Sequence, residues 1–205
     1  MTITNGYCTL DELKRELAIE SLHVLDDAVL EGIIEDASRA VDNHCSRQFF
    51  AAAGSGAYDV PDWGDPVLWM DEDWISVSSI TNGDGTTIAA SLTDLWPKNA
   101  VSHVALRLKD SSNLYWTGTT GGDDLGVISL SGSIGYVNRA ASDAKSAQII
   151  SNTKRACLII AAAMYRKRTG QENTAATVTA AGVVLAPQGM PRDAAQLLEG
   201  YRRIV

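Results

Sequence analysis

The stretch SDAKSAQIISNTKRACLIIAAAMYRKRT, Ser142 to Thr169, decides how the rest of the chain is read. Apolar or small residues recur at Ile149, Ile150, Thr153, Cys157, Ile160, Ala161 and Met164. That is the i, i+3, i+4, i+7 spacing of a buried helical stripe. Ala156 and Ala161 to Ala163 favour helix and let a neighbouring helix approach closely. Ser142 or Asp143 is placed to cap the start, and Gly170 to take the left-handed conformation past the end. Arg166, Lys167 and Arg168 fall in the last turn, where cations complement the helix dipole. The stretch predicts one long helix with the remaining chain packed around it.

Two helices are predicted upstream. Thr9-Leu10-Asp11-Glu12 is a capping box, followed by an apolar face of Leu10, Leu13 and Leu17. Ile19 to Leu25 reads as a linker. A second helix runs from Asp26 or Asp27 to about Cys45, with the stripe Leu30, Ile33, Ile34, Ala37, Val41 and Cys45. Glu31, Glu35, Asp36, Arg39 and Asp42 take its other side.

From Phe49 to Val137 helical periodicity disappears, and Gly, Ser, Thr, Asp and Trp become common. β-type runs lie at Pro66–Met70, Trp74–Ile80, Thr86–Ala90, Val101–Leu108, Asn113–Thr117 and Gly126–Gly135, separated by turn pairs such as Asn82-Gly83 and Asp84-Gly85. Gly118–Asp124 reads as a mobile loop. The class is therefore α+β: a helical bundle around one long helix, with a β-rich insertion, a small sandwich or open barrel, in mid-chain. The parts are an N-terminal helical part over 1–50, the insertion over 51–137, and a completing segment over 138–205. In the last part, Gln171–Ala181 reads as a flexible arm, Val183–Leu185 as a short strand, and Pro191 opens a short helix with Ala194, Leu197 and Leu198 on one face. Gly200 ends that helix.

The net charge is −8 over 205 residues. The acids crowd into the first 75 residues, while the last 55 are net basic. An acidic chain is a poor candidate for tight, sequence-independent DNA binding, which depends on neutralising phosphates. The opposite signs can meet between subunits or within one. The opening MTITNGYC lacks the regions of a signal peptide, and no apolar run reaches the roughly 18 residues of a membrane span. Cys8, Cys45 and Cys157 are odd in number and form no CxxC, which predicts reduced thiols and cytoplasmic synthesis.

Sequence signatures of common enzymes are missing: there is no GxxxxGK[ST], GxGxxG, HExxH or GxSxG. His23, His44 and His103 lie in different segments, and none has metal-ligand spacing with a cysteine. No catalytic residue, metal or cofactor is assigned. The acids Asp59, Asp62, Asp65, Asp71, Glu72 and Asp73 alternate with tryptophans; calcium favours such oxygens, but the spacing fits no EF-hand, and the stretch reads as a solvated acidic loop. Trp63, Trp69, Trp74, Trp96 and Trp116 all fall in the insertion. They suit a sugar-stacking platform or, more commonly, core and interface packing.

The order of parts carries a resemblance. Tyr7–Leu17 (YCTLDELKREL) is followed by Asp26–Phe49 (DDAVLEGIIEDASRAVDNHCSRQF), then by Gly132-Ser133-Ile134-Gly135-Tyr136. The Ala-rich helix ending Met164-Tyr165-Arg166-Lys167-Arg168 comes next, and Met190-Pro191-Arg192-Asp193 and Leu197–Arg203 (LLEGYRR) close the series. This set resembles the head-to-tail connector (adaptor) proteins of long-tailed bacteriophages over most of the helical part; the insertion from about Ala51 to Ser131 is only loosely similar. The resemblance implies a non-enzymatic virion protein, made in the host cytoplasm. It implies a ring, a dodecamer in the virion, beneath the portal protein. That ring extends the channel for double-stranded DNA, which passes without specific binding, and meets a stopper or tail-completion protein; no membrane is involved. It also implies portal docking through the C-terminus, with Leu197, Leu198, Tyr201, Arg202 and Arg203 as anchors, and a deletion of Leu197–Val205 that abolishes docking in a folded protein. An acidic channel wall would repel phosphates, with Glu31, Glu35 and Asp42 as candidate residues. Other readings are a different phage neck protein, stopper or tail-completion, and a carbohydrate-binding β module.

Overall fold

A computed structural model describes residues 3–62, 64–170, 177–178, 184–185 and 189–203. The class is α+β, and the described residues form four α-helices and a five-stranded antiparallel sheet. The chain divides into two compact units, Met1–Ser46 with Ile150–Val205, and Arg47–Ile149.

The helical unit begins with α1, Leu10–Glu16, which starts at the capping box. Thr9 Oγ1 accepts from the Glu12 N–H at 3.3 Å, and Glu12 Oε2 accepts from the Thr9 N–H at 2.9 Å. Helix α2, Asp27–Cys45, buries Leu30, Ile34, Ala37, Val41 and Cys45 completely, as its period predicts, and stops at Ser46 in the left-handed conformation. Helix α3, Ala144–Arg168, continues into this unit and buries Ala156, Cys157, Ile160 and Ala161. Helix α4, Arg192–Leu198, follows Pro191, which sits at the cap rather than at the first helical position. Gly200 does not end it; a single 3-10 turn, Glu199–Tyr201, carries the chain on.

The opposite charges of the two chain ends meet in part inside this one unit. Lys154 Nζ lies 2.8 Å from Glu12 Oε1 and Arg155 Nη1 2.7 Å from Glu16 Oε2, tying α1 to α3. Burial pushes the Glu12 carboxyl upward, but Lys154 and the Thr9 amide outweigh it and hold Glu12 below its ordinary 4.5. A depressed carboxyl stabilises above its unfolded value and stops doing so as pH falls through its folded value. Glu12→Gln should therefore melt earlier than the wild type at pH 7. The two melting temperatures should converge as pH falls below about 4.5, as a thermal melt series would show.

The β unit holds β1 (Ala52–Tyr58), β2 (Val67–Thr81), β3 (Thr93–Trp96), β4 (His103–Leu108) and β5 (Ile128–Ile134). They form one sheet, in the order β1-β5-β2-β4-β3, with every pairing antiparallel. This replaces the two facing sheets of a sandwich. Tyr58, Leu68, Trp74, Ile80, Leu106, Ile128 and Leu130 pack its core. Two predicted strands merge into β2, because Asp71 and Glu72, which read as a break, stand exposed on a continuous strand while Met70 and Trp74 point inward. Gly132 allows β2 to lie close to β5: a Cβ there would stand 2.1 Å from the Ser76 carbonyl oxygen.

Two predicted strands are not strands. At 86–90 only Thr87 pairs, with Thr81, because Asp84 Oδ1 captures the Thr86 N–H and hydroxyl at 2.9 and 2.7 Å. At 113–117 the segment starts at Asn113 in the left-handed conformation and bonds to a side chain: the Asn82 amide donates to Tyr115 O at 3.0 Å, and Asn82 Oδ1 accepts from the Thr117 N–H at 3.1 Å. The predicted arm 171–181 lies largely outside the described residues, but Thr177–Val178 (β6) pairs antiparallel with Val184–Leu185 (β7). No described helix is long and apolar enough to cross a membrane.

Candidate assembly surfaces

Residues 4–7 lie along α2 and occupy two of the acids expected on a channel wall. The Thr4 and Asn5 amides donate to Glu35 Oε1 at 2.5 and 3.1 Å. The Tyr7 hydroxyl donates to Asp42 Oδ1, and Arg39 Nη1 lies 3.0 Å from Asp42 Oδ2. Glu31 is half-buried, and the exposed residues of this helix include Asp36, Arg39 and Asn43. The outward stripe of α2 is therefore mixed in charge, with Glu35 and Asp42 spent on holding the N-terminal segment.

The C-terminal anchors are likewise shared with the fold. Leu198 is wholly buried and Leu197 half-buried. The Asn152 amide donates to the Tyr201 hydroxyl at 2.9 Å, and the Arg203 N–H donates to the Cys45 carbonyl at 2.9 Å. Arg202 points outward, 54% exposed, with Glu199 3.7 Å away. A deletion from Leu197 onward would remove a core residue, at a cost of about 3 kcal/mol for a buried leucine. The expectation that it leaves the protein folded is thus replaced by a point test. Arg202→Ala should change stability by less than about 0.5 kcal/mol in a denaturant titration, since an exposed pair of this length contributes little.

The tryptophans divide. Trp74 is fully buried, and its Nε1–H donates to the Tyr58 hydroxyl at 3.0 Å; Trp116 is 8% exposed and donates to Pro66 O at 3.0 Å. Trp63 lies outside the described residues. Trp69 and Trp96 are 61% and 51% exposed and flank Ala105, which pairs with both across β4. Their rings meet edge to face, centroids 5.8 Å apart at 83°. That geometry gives an aromatic ridge rather than the flat platform on which a sugar stacks, and aromatic ridges with charged rims suit protein interfaces.

The acids of residues 59–73 are also dispersed by the fold. Asp59 accepts from the Gly126 N–H at 2.6 Å, Asp65 from the Val67 N–H at 2.8 Å, and Glu72 from the Tyr58 hydroxyl at 3.0 Å. Asp73 is buried, with Arg47 Nε 3.6 Å away and the Ser102 hydroxyl donating at 3.2 Å. Among the described residues no three His, Cys, Asp or Glu side chains converge on a point that could hold a metal ion. All three cysteines are buried; the Sγ atoms of Cys8 and Cys157 lie 3.5 Å apart, and this contact, with burial, holds Cys8 in the thiol form.

Besides the Trp69–Trp96 ridge, two surfaces present exposed apolar side chains. The first is the loop between α1 and α2, where Leu22, Val24 and Leu25 are 89%, 65% and 85% exposed. It is held in place from below by Lys14, only 2% exposed, whose Nζ donates to Ser21 O at 3.3 Å and His23 O at 2.9 Å and lies 2.5 Å from Asp27 Oδ1. The second is a cleft of about 760 Å³ in the β unit, lined by Val60, Pro61, Tyr115 and Trp116, with Asp62 and Asp124 also on its wall. Sequence reading passed over both. The loop carried a signal, three apolar residues in a predicted linker; the cleft did not.

The chain matches no protein-family model and no curated protein. Among solved structures it is similar to a chain in the neck of an empty GTA (gene transfer agent) particle computed with C6 symmetry, at 14% identity and a TM-score of 0.61. That match covers 100% of this chain and 94% of the other. A chain in the neck of the native GTA particle, computed with C12 symmetry, matches at 14% identity and TM-score 0.61 over 100% and 93%. One in the virion of the native particle matches at 16% identity and TM-score 0.58 over 100% and 94%. The likeness establishes that this chain has the fold of those neck and virion chains over its whole length.

Proposed function

We propose that this chain is a non-enzymatic structural protein of a phage-type neck: a head-to-tail adaptor that forms a ring, a dodecamer in the virion, beneath the portal protein. One observation carries the reading. The fold matches, end to end and with almost nothing left over on either side, chains from necks reconstructed with six-fold and twelve-fold symmetry. The ordered resemblance of the helical segments to phage connectors supports the same conclusion independently.

In this role the ring lines the path of double-stranded DNA and presents a surface to the stopper or tail-completion protein. Among the C-terminal anchors Arg202 is the one most free to reach a portal, because Leu198, Tyr201 and Arg203 also serve the chain's own fold. Of the acids expected on the channel wall, Glu35 and Asp42 are engaged by residues 4–7, so the wall draws on Glu31 and, by its exposure, on Asp36. Weakened phosphate contact lets DNA slide.

The test is the native mass of this chain mixed with the purified portal ring of the same particle. A complex heavier by one copy per portal subunit supports the adaptor. Two folded proteins that stay apart move the assignment to the stopper or tail-completion position in the same column.

A further inference from the structure

We propose that neighbouring copies of this chain join head to tail, the Leu22–Leu25 loop of one copy seating in the Tyr115–Trp116 cleft of the next. This rests on the ring reading above and assigns its subunit contact.

Singly exposed leucines are ordinary on a protein surface. Three large apolar side chains within four positions, on a loop clipped by a buried lysine, are a fixed apolar projection. The end of α3 adjoins this projection. The Tyr165 hydroxyl donates to Asp26 Oδ2 at 3.2 Å, and Arg168 shares the Tyr165 face of α3 one turn on. Arg166, Lys167 and Arg168 are all exposed at that end of α3, while the loop's own acids include Glu20, exposed, and Asp26 and Asp27, half-buried and engaged by Tyr165 and Lys14, so the projection is apolar with cations beside it on α3.

The cleft has the complementary character. Val60, Pro61, Tyr115 and Trp116 give it apolar walls, and Tyr115 is 69% exposed there. Asp62, Asp65, Asp110 and Asp124 are exposed on the segments that form it and in the adjoining hollow, against one half-buried cation, Lys109, giving a net acidic rim. A volume of about 760 Å³ accommodates the tips of two leucines. The occupant is a second copy of this chain because both halves of the match, apolar to apolar and basic to acidic, lie on the same sequence. A ring requires such a heterologous contact, in which one surface of each subunit meets a different surface of the next. The rim charges set register and encounter, while the leucines hold the contact.

The full chain carrying Leu22→Asp and Leu25→Asp is compared with the wild type, alone and on the portal ring, by native mass. Both positions are exposed, so circular dichroism and melting should be unchanged. The expected result is a ring for the wild type and at least a tenfold loss of assembly for the variant. A second chain carries Leu25→Cys together with Tyr115→Cys. Mild oxidation should give a ladder of multimers on a non-reducing gel, whereas either cysteine alone gives nothing beyond a dimer. A wild-type ring with an aspartate variant that assembles equally well, or with no ladder from the double cysteine, overturns the contact and leaves the adaptor reading standing. A variant that still forms rings but no longer binds portal also overturns it, by reassigning the loop to the portal. A wild type that never forms a ring overturns the adaptor reading and the contact with it.

Discussion

Trp74→Ala should lower the stability of the β unit by about 3–5 kcal/mol, the range for removing a fully buried aromatic side chain. Trp74 is 0% exposed and sits in β2 where that strand pairs with both β4, opposite His103, and β5, opposite Ile134. Its loss would open a cavity at the junction of three strands. It would also strip a donor from Tyr58, whose hydroxyl accepts from Trp74 and donates to Glu72. Burial pushes that hydroxyl well above its ordinary value against the opposing Trp74 bond, and the Glu72 carboxylate pushes it further up, so it stays protonated and keeps donating. Trp74→Phe refills much of the volume but leaves the Tyr58 oxygen without the indole donor, at about 1 kcal/mol for the bond. Denaturant titration of the two variants separates volume from hydrogen bonding. A Trp74→Ala cost below about 1 kcal/mol would show that the core is not organised around this residue.

The second large effect is expected at Lys14. Its ammonium is buried and serves Ser21 O, His23 O and Asp27 Oδ1 together. Lys14→Met keeps the aliphatic stem but removes all three interactions, leaving two carbonyls and a carboxylate oxygen facing an apolar tip. Removing one partner of a buried ion pair costs about 3–5 kcal/mol, and the low end applies because the Asp27 side chain is 28% exposed. The loss should be local as well as global. Lys14 is the buried side chain that bonds two carbonyls of the α1–α2 loop, so limited proteolysis should cut Lys14→Met within residues 18–26 much faster than the wild type. Unchanged protection would show that the loop is held by other means. Because the same loop carries Leu22 and Leu25, Lys14→Met should also weaken ring formation without altering either leucine.

Much of the helical unit was legible because its signals are local. The Thr9/Glu12 box needs only residues three apart, and the α2 stripe needs only a period; both appear in the structure as the sequence predicts. The burial of Cys45 and Cys157 follows from the same periodicity. The β unit was harder. Strand β1, AAGSGAY, has almost no strand propensity of its own; it is a strand because β5 supplies its ladder over seven residue pairs. Residues 113–117 look like a strand by composition, but the Asn82 side chain takes the place of a neighbouring backbone.

The candidate site residues divide in the same way. Residue type marks Arg202 and the acids of α2 as candidates, but it does not say that residues 4–7 cover Glu35 and Asp42 or that Leu198 is core. The sequence by itself determined the α+β class, the helical stripes, the first helix cap and the ordered likeness to phage connectors, since these depend on spacing along the chain. Only the tertiary structure decided which opposite charges meet within one subunit, at Glu12–Lys154 and Glu16–Arg155. It alone decided which tryptophans are core and which form the outer ridge, and that Lys14 holds an apolar loop toward solvent. Each of these rests on residues that are distant in sequence or on the packing of a side chain, and neither is carried by local pattern.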